Sequence, residues 1–75
     1  MVLSDLLQGQ KAKIQDLSSL NSIVKKRLTD LGFREGQEIN VKTIMPFGGP
    51  CMIESFGQCI GIRKKEAKCI KVTVQ

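Results

Sequence analysis

Three side chains in this sequence could bind a soft metal or sense oxidation: Cys51, Cys59 and Cys69. Thiolates are good ligands for iron or zinc, and their reactivity follows their ionisation. The three make an odd set with no CxxC spacing, and the chain has no histidine to complete a familiar zinc pattern. They read as reduced thiols, and no metal ligands are assigned. Catalysis finds no support either: there is no histidine base, no carboxylate pair at motif spacing, no nucleophile elbow and no phosphate-binding glycine loop. The expected role is binding, not enzymatic turnover.

Charge gives the binding reading its direction. The formal net charge is +5, which invites an acidic partner, whether nucleic acid, an anionic membrane surface or another protein. The excess lies in the second half, where Lys42, Arg63, Lys64, Lys65, Lys68 and Lys71 face only Glu54 and Glu66. Lys25, Lys26 and Arg27, together with the cluster from Arg63, Lys64 and Lys65 to Lys71, are the candidates for meeting an acidic surface. The alternative is that these runs are merely solvated faces. Phe47, flanked by glycines and prolines, is either a recognition tip or a lid folded back on the core.

Those residues need a scaffold, and the apolar pattern supplies one. Val2, Leu3, Leu6 and Leu7 suit a short helical lead-in ending at Gly9, placed to cover an open end of a barrel. Alternation through Lys11, Ala12, Lys13, Ile14 and Gln15 predicts a first strand over about 11–17. Ser18, Ser19, Asn21 and Ser22 offer N-caps to a helix whose stripe is Val24, Leu28 and Leu31. Gly32 should end that helix as the left-handed C′ residue, with Phe33 at C″ packing on Leu28 at C3 in a Schellman motif.

Four more strands follow. Residues 39–45 alternate with β-branched enrichment, the Pro46 to Pro50 segment has the punctuation of a turn, and 51–56 returns. Gly57 makes the next turn, and 58–63 places Ile60 and Ile62 inward with Cys59 and Gly61 outward. Residues 63–67 suit a single helical turn, and Ile70, Val72 and Val74 alternate inward in the last strand, with Cys69 in its outward register.

At 75 residues the chain is expected to be one domain, spanning 1–75, whose core buries roughly 60% of the unfolded surface. Apolar content of 41% and charged content of 25% are ordinary for a folded domain. No run reaches a membrane-spanning length, and Met1-Val2-Leu3-Ser4-Asp5 lacks the basic start of a secretion signal, so a cytoplasmic location is expected. The expected fold is mainly β: a small five-stranded SH3-like barrel with one short α-helix between strands 1 and 2. An OB-type barrel shares the strand count but usually carries its helix between the third and fourth strands.

Taken in order, Arg27-Leu28-x-x-Leu31-Gly32-Phe33-x-x-Gly36 and Ile39-x-Val41 are similar to the ferrous iron transport protein A family. The likeness continues through the Pro46 to Pro50 loop, Gly57, and Ile60-x-Ile62-Arg63-x-x-Glu66-Ala67-x-x-Ile70-x-Val72, covering about residues 9–74. It departs from the family's usual look in its three cysteines and at Gly61. The resemblance implies an SH3-like accessory protein that docks on the cytosolic GTP-binding part of a membrane ferrous iron transporter and modulates uptake. It further implies recruitment to the inner face of the cell membrane. No obligatory cofactor is implied, only weak association with ferrous or another transition metal.

Two other readings stand beside it. A nucleic-acid-binding small barrel fits the charge, but with three phenylalanines and neither tryptophan nor tyrosine few rings are left for base stacking, so a nucleic acid is not the expected partner. A metal-responsive homodimer would use the outward cysteines or an exposed strand edge.

Overall fold

Alternate burial along the strands builds this molecule from a single sheet curled around one core. The computed structural model describes residues 1–74. Its elements are β1 (Lys11–Asp16), α1 (Ser22–Asp30), β2 (Glu38–Ile44), β3 (Cys51–Ser55), β4 (Gln58–Ile62), α2 (Lys64–Ala67) and β5 (Lys71–Val74). All neighbouring strands are antiparallel, in the order β4-β3-β2-β1-β5. This is the expected mainly-β, SH3-like arrangement, with β4 and β5 left as edges, so the sheet is barrel-like without closing.

The inward rows are those the alternation predicts. Ala12 and Ile14 of β1, Ile39 and Val41 of β2, Ile53 of β3, Ile60 and Ile62 of β4 and Val72 of β5 are all buried, with Leu17, Leu28, Phe33, Ala67 and Ile70 completing the core. Register shifts interrupt the ladder between Val41 and Thr43 and between Ile14 and Asp16. A bulge changes which side chains face inward. Alternation continued from Ile39 and Val41 would carry Met45 inward, but beyond the first shift Met45 lies exposed, as does its outward neighbour Ile44.

The helix ends are made by local chemistry. Asn21, one of the four cap candidates, accepts the Ile23 and Val24 amides on Oδ1 at 2.9 and 3.2 Å. At the other end the Phe33 amide donates to the Leu28 carbonyl at 2.8 Å and the Gly32 amide to Thr29 at 3.0 Å, with Gly32 at φ 91°. That is the predicted Schellman pair of bonds. Leu28 and Phe33 are each 1% exposed, but Leu31 is 40% exposed. It caps the helix instead of extending its buried stripe, because the chain turns away at that point.

The lead-in does more than cover an opening. A 3-10 turn at Leu3–Asp5 buries Leu3, and Leu6 follows it inward, while Leu7 faces solvent. Leu3 donates its amide to Ile70 at 2.8 Å, and Val72 donates to Met1 at 3.0 Å. The lead-in therefore pairs along the outer edge of β5, where an open strand would otherwise invite association. Val74, expected to point inward, is exposed at the end of that strand. No helix among the described residues is long and apolar enough to cross a membrane.

Candidate functional site

The β2–β3 hairpin carries the first part of the site. Met45 donates its amide to Pro50 at 3.1 Å, and Gly49 donates to Pro46 at 3.2 Å, folding the tip into a turn around Phe47 and Gly48. Both central residues have positive φ, 59° and 75°. Glycine adopts that region freely, whereas a phenylalanine does so at a cost of about 1 to 2 kcal/mol. Phe47 is fully exposed, so its ring stands out at the tip and is not folded back on the core as a lid.

The second part is α2. Arg63 sits at its N-cap and donates its backbone amide to Glu66 Oε1 at 3.3 Å. The sequence run Arg63-Lys64-Lys65-Glu66-Ala67-Lys68 therefore folds back as one turn, with Ala67 buried beneath it and the basic side chains exposed. Arg63, Lys64, Lys65 and Lys68 surround a shallow depression whose remaining wall is Gly48 and Pro50 of the hairpin tip. Among the described residues no carboxylate lines it.

Next to this basic depression lies an apolar groove of about 180 Å³. Leu3 and Leu6 of the lead-in, Val41, Ile44 and Met45 at the end of β2, and Ala67 form its walls, with Cys51 and Lys64 at its margin. Segments some 60 residues apart in the chain (Leu3 and Ala67) meet here. The sequence places the groove's parts in a lead-in, two strands, a turn and a single helical turn, and nothing in local spacing signals that they converge.

Of the seven predicted site residues, the structure thus brings Arg63, Lys64 and Lys65 together with the loop that bears Phe47. It separates Lys25, Lys26 and Arg27, none of which lines either depression. Lys26 pairs with Asp30 at 3.0 Å on the exposed face of α1, and Arg27 reaches Glu66 of α2 at 3.9 Å. Exposed pairs of this kind contribute little to stability. Lys68 belongs with the α2 group.

The cysteines do not converge. All three are free thiols: Cys59 is exposed on β4, Cys51 is half-buried at the start of β3, and Cys69 is half-buried against the core. Cys69 lies in the turn before β5, not in that strand's outward register, and its thiol approaches the Lys65 carbonyl at 3.7 Å. Burial pushes the Cys51 thiol above its ordinary value. Among the described residues no group of three or more histidine, cysteine, aspartate or glutamate side chains is placed to hold a metal ion.

A curled antiparallel sheet of five short strands, a capped helix after the first and a one-turn helix before the last define a small SH3-like module with a grooved, basic surface. The FeoA domain model matches residues 1–74. The chain belongs to the FeoA domain family, as its early motifs imply. FeoA from Chlorobium tepidum superposes with a TM-score of 0.92 at 31% identity, over 99% of this chain and 70% of that one. Iron(II) transport protein A from Clostridium thermocellum gives 0.87 at 34% identity, over 99% of this chain and 45% of that one. The zinc complex of FeoA from Stenotrophomonas maltophilia, described as a unique procaryotic SH3 domain protein, gives 0.73 at 32% identity, over 96% and 88% of the two chains. Comparison with curated proteins gives no match.

Proposed function

We propose that the chain is an accessory protein of ferrous iron transport, working as one domain at the cytoplasmic face of the membrane. It docks on the cytosolic GTP-binding part of the ferrous iron transporter and modulates uptake. The observation that carries this reading is family membership over residues 1–74. The relatives' descriptions agree: one is an iron(II) transport protein, and the S. maltophilia protein is described as a candidate ferrous iron transport activating factor.

The geometry favours a protein partner over a small molecule. Ligand pockets typically enclose about 300 to 1,000 Å³, whereas this groove offers about 180 Å³. That space suits a single apolar side chain presented by another protein, the kind of central anchor on which interfaces depend. A row of stacked bases fits less well. Phe33 is core, and Phe47 and Phe56 stand at opposite ends of β3, roughly 17 Å of strand apart.

Titration calorimetry of the chain with the transporter's cytosolic domain, with GTP or GDP present, tests the proposal. Saturable binding is expected, weakened by Ser4→Trp, which places bulk at the mouth of the groove from an exposed position. An absence of heat or shift in either nucleotide state would remove the reading.

A further inference from the structure

The tip of the β2–β3 hairpin holds an aromatic ring from which the fold gains nothing. Phe47 lies outside the core, its side chain is fully exposed, and its backbone sits at φ 59°. Bulky residues rarely occupy that region. An outward ring kept at such a position points to something outside the molecule. Ile44 and Met45, at the base of the same loop, are exposed as well.

Around this apolar tip the charge has one sign. The loop residues Gly48 and Pro50 share a depression with Arg63, Lys64, Lys65 and Lys68, and no acid among the described residues lines it. Glu66, the acid of α2, is turned toward Arg27 and the backbone amide of Arg63. Phe56 also occupies a positive-φ turn, but it lies at the far end of β3, and none of its neighbours at 55, 57 or 58 lines the basic depression as Gly48 and Pro50 beside Phe47 do.

We propose that this face seats on anionic phospholipid, with Phe47 entering the boundary between headgroups and acyl chains and the four cations meeting lipid phosphates. An acidic protein patch would satisfy the cations but would also need a pocket shaped for a ring on a convex tip. A bilayer supplies negative charge and an apolar sink together, with no shape to match. Membrane association of this kind needs two signals acting jointly, since one modest apolar anchor gives only marginal binding. Each basic side chain near an anionic surface adds about fivefold to partitioning at low ionic strength. The apolar groove adjoins this face and shares Gly48 and Lys64 with it, so lipid and transporter binding are measured separately.

Co-sedimentation of the full chain with vesicles of equimolar phosphatidylglycerol and phosphatidylcholine, against vesicles of phosphatidylcholine alone, tests it. Binding to the anionic vesicles only is expected, falling as salt is raised. Phe47→Ser, which leaves the charge unchanged, should lower the partition coefficient several-fold. Lys65→Glu should lower it by about fivefold or more. Lys13→Glu, an identical charge change on β1 beside the end of β2 remote from the loop, should have a distinctly smaller effect. Equal losses from Lys65→Glu and Lys13→Glu would show attraction by net charge alone and overturn the assignment. Binding to neither vesicle would overturn it too. So would weakened calorimetric titration of the transporter's cytosolic domain by Phe47→Ser without vesicle binding, which would give this face to a protein.

Discussion

Cys59 stands in solvent on β4, while Cys51 is half-buried and its thiol is pushed up by that burial. Only the thiolate reacts, so the two should separate in time. With a limiting alkylating agent near neutral pH, peptide mapping should find Cys59 modified well before Cys51; simultaneous modification would contradict the placement. Asp16 behaves in the opposite sense. Hydrogen bonds from Ser18, above all, hold its carboxyl below the ordinary value of 3.8, and its Oδ1 accepts the Ser18 amide at 2.7 Å. A depressed carboxylate stabilises fully above its unfolded value and loses that contribution as pH falls through the folded one. The stability gap between wild type and Asp16→Asn should therefore shrink as pH is lowered through and below 3.8 in acid titrations of unfolding. In the core, Phe33→Ala should cost about 3 to 5 kcal/mol in denaturant unfolding, and Leu31→Ala less, because Leu31 is already 40% exposed. The sequence made Phe33 legible through the glycine before it. Leu31 was misread because helical spacing does not reveal where the last turn leaves the core.

At the scale of elements, two glycines test two different physical reasons for being glycine. Gly32 has φ 91° and open space where a Cβ would go. Gly32→Ala should cost about 1 to 2 kcal/mol from the left-handed backbone alone. Gly49 has no such φ, but its Cβ would fall 2.8 Å from the Met45 Cβ, an atom fixed to the backbone, so Gly49→Ala must open the hairpin tip. Amide shifts in heteronuclear spectra should then move around residues 45–50 for Gly49→Ala and around the end of α1 for Gly32→Ala. The reverse pattern would refute both explanations. Strand positions and the helix stop were readable because they depend on neighbours in sequence. The register shift after Val41 was not, since a bulge is set by the partner strand, and with it went the exposure of Met45.

For the whole molecule, the element order, fold class and most of the core followed from alternation and short connections, but the surface proposed to recognise a partner did not. The groove needs Leu3 against Ala67 and Met45, contacts between segments that carry no mark of one another. The lead-in's pairing with Ile70 and Val72 is hidden from local spacing in the same way. Of the predicted site residues, those on α2 gather beside Phe47 because a single helical turn and one hairpin tip are neighbours in space, whereas those on α1 disperse. The central claim is a role in ferrous iron transport. Uptake of labelled ferrous iron in cells lacking the chain, with and without its restoration, addresses that role directly. Uptake should fall on removal and return with the wild-type chain while transporter abundance stays constant; unchanged uptake at equal transporter abundance would contradict the account.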